Sequence, residues 1–140
     1  MEIKIDANVA NIKKAIKKEG DELVKSAHRA LSVTAQAGVN IIQERTSRSQ
    51  SYKGSPFKKY SSDYAAFRTS KGRSLRPDLE FKGTMMGSIT TRVKGNVAEI
   101  FFSRAEEAKK AASNDKIRPF FGFSRAEERK LGNIFFKALV

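Results

Sequence analysis

Between Asp21 and Arg45 the apolar residues fall on one stripe: Leu23/Val24, Ala27, Leu31, Thr34/Ala35, Gly38 and Ile41/Ile42. Spacings of three and four residues match the 3.6-residue period of an amphipathic helix. A helix of this length with one apolar face must lay that face on a core. Val9, Ile12 and Ile16 carry the same spacing upstream. Gly20 followed by Asp21 reads as a stop and a fresh N-cap. The pattern therefore predicts a short helix over 8–18 and a long one over 21–45, with one kinked helix as the alternative. His28 lies on the polar-to-boundary side of the stripe, the place of a surface or boundary histidine and not of a ligand.

The period is lost after Arg45. From there to Arg76 the chain carries nine basic residues, Arg45, Arg48, Lys53, Lys58, Lys59, Arg68, Lys71, Arg73 and Arg76, against one acid, Asp63. That is +8 of a total of +13, which comes from 28 Lys and Arg against 15 Asp and Glu. The stretch also holds eight serines and all three tyrosines, with no regular apolar spacing. It reads as a long basic loop or arm over 46–78, far beyond the usual loop of ~4–6 residues. Such an arm is expected to be flexible in an isolated subunit and to order against a neighbour. Its cations alternate with Tyr52, Phe57, Tyr60, Tyr64 and Phe67. Cations neutralise phosphates and aromatic rings stack on bases. The same residue types are also enriched in protein interfaces.

Downstream the period changes to that of strands. Ser88–Lys94 and Val97–Ser103 are rich in β-branched and aromatic residues and flank Gly95-Asn96, a two-residue turn signal. Arg104–Ala112 has helical composition with few large apolar side chains, so a surface helix ending at Asn114-Asp115 is expected. The segment Ile117-Arg118-Pro119-Phe120-Phe121-Gly122-Phe123 is an aromatic cluster whose proline disfavours a central strand. At least one of Phe120, Phe121 and Phe123 is expected to insert between the closing helix and the hairpin, against Ile100 or Phe102. Ser124-Arg125-Ala126-Glu127 is a capping box, followed by the stripe Leu131, Ile134, Phe135 and Ala138.

Several classes of chemistry lack their residues. Cysteine is absent and histidine occurs once. Thiolate nucleophiles, disulfides and multi-histidine metal sites are thereby excluded. Gly83-Thr84-Met85-Met86-Gly87 does not have the spacing of a phosphate-binding glycine loop. No catalytic residue, metal or cofactor is expected. The longest apolar runs fall far short of the ~20 residues of a membrane span. The first residues, Met1-Glu2-Ile3-Lys4-Ile5-Asp6, carry no apolar signal core. The expectation is a chain with no membrane partner that stays in the compartment where it is made. At 140 residues it is one domain's worth, 1–140, with the arm as an insertion.

Over about residues 21–139, from the long helix ending in Ile42-Gln43-Glu44-Arg45 through three further segments, the chain resembles a bacteriophage virion-morphogenesis family, the Mu-type tail-completion proteins of the phage neck. Gly54-Ser55-Pro56-Phe57-Lys58-Lys59-Tyr60-Ser61 is similar to the family's G-x-P-W-x-x-L-S stretch, with Phe57 at the tryptophan. Leu79-Glu80-Phe81-Lys82-Gly83-Thr84-Met85-Met86-Gly87-Ser88-Ile89 is similar to L-x-x-T-G-x-L-x-x-S-I, with Lys82 at the threonine. Ile117–Ser124 is similar to I-P-A-R-P-F-L-G-L-S before a closing helix. The family's Y-A-x-x-H-Q-x-G stretch is replaced by residues 105–112, which have no Tyr, His or Gly.

The resemblance implies a structural protein of tail completion or tail termination at the head–tail junction. It implies a ring of identical subunits, six to match the tail, in the virion after assembly in the host bacterial cytoplasm. Tail-tube and neck or connector proteins are the implied partners, with DNA along the ring lumen. The alternative is a small basic nucleic-acid-binding protein. The fold class expected is α+β: a long N-terminal helix and a capped C-terminal helix on a small antiparallel sheet, with the long basic arm. Assembly contacts are expected from Arg45, Arg48, Lys53, Phe57, Lys58, Lys59, Tyr60, Tyr64, Arg68, Arg73 and Arg76 of the arm. In the closing motif they are expected from Arg118, Pro119, Phe120 and Phe121.

Overall fold

A computed structural model describes residues 1–7, 20–80 and 82–139. The first strand, β1 (Glu2–Asp6), alternates charged and apolar residues, Glu-Ile-Lys-Ile-Asp, which turns Ile3 and Ile5 to one face. The long helix α1 (Gly20–Ser47) follows the predicted stripe. Leu23, Ala27, Leu31, Ala35, Val39 and Ile42 are buried along it, and His28 is half-buried at its margin. The short helix expected over 8–18 lies outside the described residues.

The hairpin forms where the β-branched residues predict it. Strands β2 (Ile89–Lys94) and β3 (Val97–Phe102) pair antiparallel across Gly95-Asn96, with Gly95 at φ +57°. That left-handed angle is one that glycine adopts without steric cost. The pairing of β1 with the far side of β3, Glu2 opposite Phe101 and Asp6 opposite Val97, was not legible beforehand. It makes β3 the central strand of the order β1-β3-β2. Glu99 is buried in that central strand because its register partner Arg92 hydrogen-bonds its carboxylate. That bond holds the Glu99 carboxyl below its ordinary pKa.

Helix α1 packs on β2 and β3 and also against the closing helix. Gly38 permits this approach. A Cβ at that position would lie 2.9 Å from Phe123 Cζ and 3.0 Å from Ile100 Cδ1. Leu31, Ile42, Ile100 and Phe120 are fully enclosed in the resulting core. The Phe102 ring lies 6.5 Å from that of Phe120 and 5.0 Å from that of Phe121, so the expected contact of the aromatic cluster with Phe102 is present.

Two expectations need correction. The segment 46–78 is not a long unpacked loop. It carries a helix, α2 (Ser62–Ser70), whose Ser61 cap accepts the Tyr64 N–H, and a bridge between Gln50 and Pro56. Ser51, Phe57 and Arg68 are buried within it. Its order comes from side-chain bonds to backbone, which leave no apolar period to read.

A single turn, α3 (Thr84–Gly87), leads into β2, and the helix α4 (Ala105–Ile117) runs past Asn114-Asp115 instead of ending there. The Asp115 carboxylate accepts the N–H groups of Phe120 and Phe121, both at 3.0 Å, so it organises the turn after the helix. The closing helix α5 (Arg125–Leu139) starts as the capping box predicts. Ser124 N–H donates to Glu127 Oε1 at 2.9 Å and Glu127 N–H to Ser124 Oγ at 3.2 Å. Of its stripe, Leu131 and Phe135 are buried, Ile134 is half-buried and Ala138 is exposed.

Candidate functional site

Residues 58–61, 79–80 and 117–118 meet in one corner, and Tyr60 is its centre. Pro119 has no N–H and a fixed φ, which directs Arg118 back across the arm. Arg118 donates from Nε to the Lys58 carbonyl at 2.6 Å and from Nη2 to the Lys59 carbonyl at 3.1 Å. Its guanidinium lies 4.8 Å from the centre of the Tyr60 ring. Arg68, on α2, lies 4.9 Å from the same ring. It donates to the carbonyls of Ser74 (2.6 Å) and Glu80 (2.9 Å) and pairs with Asp78 at 3.5 Å. The Tyr60 hydroxyl accepts the Leu79 N–H at 3.2 Å. Burial raises the phenol pKa, and the Leu79 bond and the Arg68 charge oppose it.

A planar guanidinium with five donors can hold a loop's carbonyls and also lie over an aromatic ring. Arg68 and Arg118 do both, and each joins parts of the chain that no helix or strand joins. Between the arm and the end of α4 they leave a cleft of about 630 Å³. Lys58, Lys59, Tyr64, Leu79, Asn114 and Ile117 are among its lining residues.

The residues expected at an assembly surface divide into three groups by burial. Arg45, Phe57, Arg68, Arg118, Phe120 and Phe121 are buried within the chain and hold the fold together. Arg48, Lys53, Lys58, Lys59, Tyr64, Arg73 and Arg76 are exposed, and Tyr60 and Pro119 are half-buried. Lys58, Lys59, Tyr60, Tyr64, Arg68 and Arg118 come together at the cleft. Arg45 belongs to a second junction, where it donates to the carbonyls of Phe120 (2.6 Å) and Gly122 (2.9 Å) and to Glu127. Leu79 and Ile117 of the cleft stand within the resembling segments and Tyr52 among the arm's aromatics, but the sequence marks none of the three for a contact surface, and it marks Asp115 only as a helix end.

Among the described residues no three His, Asp or Glu side chains are placed to hold a metal ion. No described helix is long and apolar enough to cross a membrane. Comparison with protein-family models, with curated proteins and with solved structures finds no match to this chain.

Proposed function

We propose that this chain is a structural subunit of tailed-phage assembly, working at the neck as a tail-completion or tail-terminator protein. In this reading it forms a ring of identical subunits, six to match the tail, through complementary surfaces and without chemistry. Its neighbours would be tail-tube and neck or connector proteins, with DNA passing the ring lumen, and its final place the virion. One observation carries the reading. The segments around Phe57, Leu79 and Pro119 resemble separate motifs of one family, and they are stitched together here by Arg118 on the Lys58 and Lys59 carbonyls and by the Leu79 N–H on Tyr60. A motif set that builds one rigid corner suits a subunit whose work is to present a fixed surface.

Sedimentation velocity of the purified chain, alone and mixed with tail tubes, tests the reading, with negative-stain images beside it. A ring-sized species in either sample is the expected result. A chain that stays monomeric in both and binds duplex DNA with steep salt dependence would instead support the nucleic-acid-binding alternative.

A further inference from the structure

We infer that the cleft between the arm and the end of α4 receives a segment of a different, acidic protein. Its carboxylates would meet Lys58 and Lys59, and an apolar side chain would sit against Tyr64, Leu79 and Ile117. The inference rests on the assembly reading only for the setting in which such a partner is met.

Three observations carry it. First, the two lysines are exposed while their carbonyls are clamped by Arg118, so the backbone beneath both ammonium groups is fixed before any partner arrives. Fixing the backbone in advance lowers the entropy lost on binding. Second, the cleft exposes apolar side chains among polar ones, its four basic residues Lys58, Lys59, Arg68 and Arg118 outnumbering the single acid Glu80. Ile117 is 56% exposed and Tyr64 is 38% exposed, beside those cations. Apolar contact ringed by charge is the composition of a protein-binding patch. Third, the charge complement must come from elsewhere. A second copy also carries +13, which opposes docking on a basic rim.

A nucleic acid meets the charge but gives the aliphatic side chains of Leu79 and Ile117 in the cleft no complement. The Tyr60 ring already has Arg68 and Arg118 within 5 Å. Tyr64 stacks on Phe67 at 6.1 Å and meets Tyr60 edge-on at 5.0 Å. Lys71 Nζ lies 5.9 Å over Phe67. The half-buried Tyr60 ring, flanked by two guanidiniums, is poorly placed for base stacking, the contact that single-strand binders depend on, while Tyr64 and Phe67 keep 38% and 46% of their surface exposed.

The test is fluorescence anisotropy on the full chain with three labelled probes of equal charge. One is a peptide alternating Glu and Leu, the second a peptide alternating Glu and Ser, and the third an oligothymidylate. The Glu–Leu peptide is expected to bind tightest. The K58Q/K59Q variant should weaken it about fivefold or more, the combined effect of two exposed charge contacts. Ile117→Ser should remove its advantage over Glu–Ser. K130Q/K137Q, on exposed positions of α5, should leave it unchanged. Circular dichroism confirms that each variant is folded.

The inference is overturned if the oligothymidylate binds tightest, if K130Q/K137Q weakens binding as much as K58Q/K59Q, or if the Glu–Leu peptide does not bind. Peptide binding by a chain that never forms rings would refute the ring while leaving the cleft assignment standing. Rings that ignore the peptide would do the reverse.

Discussion

Arg45, in the last turn of α1, reaches Glu127 in the first turn of α5 and donates from Nη1 to both carboxylate oxygens, at 2.7 and 2.8 Å. Glu127 is also the capping-box acid of α5, so one carboxylate caps a helix and anchors it to another. The Arg45 side chain is only 6% exposed. Removing one member of a pair this buried leaves the other without compensation. Arg45→Met should cost about 3 kcal/mol, the low end for a broken buried pair, because Glu127 keeps partial solvent contact. Glu127→Gln, which retains an acceptor, should cost less. Urea unfolding of both variants checks the order, and equal losses would contradict this account.

Phe120 is fully enclosed, with the Phe102 and Phe121 rings beside it. Phe120→Ala should destabilise the chain by ~3–5 kcal/mol, the range for emptying an aromatic core position. Thermal melts check this. An unchanged midpoint together with lost assembly would move Phe120 from the core to an interface.

Gly122 lies under the Tyr52 ring, where an added Cβ would come within 2.7 Å of Tyr52 Cε1 and Cζ. Gly122→Ala should therefore cost about 1–3 kcal/mol through overpacking. In a Tyr52→Ala background the same change should cost little, because the obstacle is gone. A double-mutant cycle by urea unfolding measures this coupling directly.

Tyr60 gives the fold a limit at alkaline pH. Its phenol pKa is raised above 10.0, chiefly by burial, so the folded chain keeps a proton that the unfolded chain releases. Stability is then unaffected below the ordinary tyrosine pKa and falls as pH rises from 10.0 through the folded value. The fall in urea midpoint across this window should be shallower in Tyr60→Phe. That variant should also start less stable at neutral pH, since the Leu79 N–H loses its acceptor.

Lys58, Lys59 and Arg76 are exposed. Reversing all three to Glu should shift the thermal midpoint little, since exposed charges contribute little to folding. Under the proposed function the same variant should fail to enter particles in a complementation assay. Normal particle yield would reduce the arm's charge to a solubility role.

Much of the fold was legible because it depends on near neighbours in the sequence. The stripe from Leu23 to Ile42 repeats at helical spacing, and it forms α1. Ser124 and Glu127 lie three residues apart, and their reciprocal bonds start α5. Gly95-Asn96 lies between two β-branched runs, and the hairpin turns there. In each case the partners lie within a turn or across a tight loop, so a local pattern carries the information.

The candidate site was legible as composition and as resembling segments, but not as contacts. Charge and aromatic content marked the arm, yet nothing in the order of residues separated Arg68 and Arg118, which are buried, from Lys58 and Lys59, which are exposed. A guanidinium on a distant carbonyl leaves no periodic trace, because any backbone can supply the acceptor. The same holds for β1, whose five residues fit an edge strand but do not name β3 as their partner. The sequence by itself determined α1, the start of α5, the hairpin and the excess of positive charge, because these rest on local spacing and on counting, while α2 left no such pattern. Only the tertiary structure decided which cations hold the corner around Tyr60 and which face solvent, since that choice depends on carbonyls about 60 residues away for Arg118 being brought within hydrogen-bonding reach.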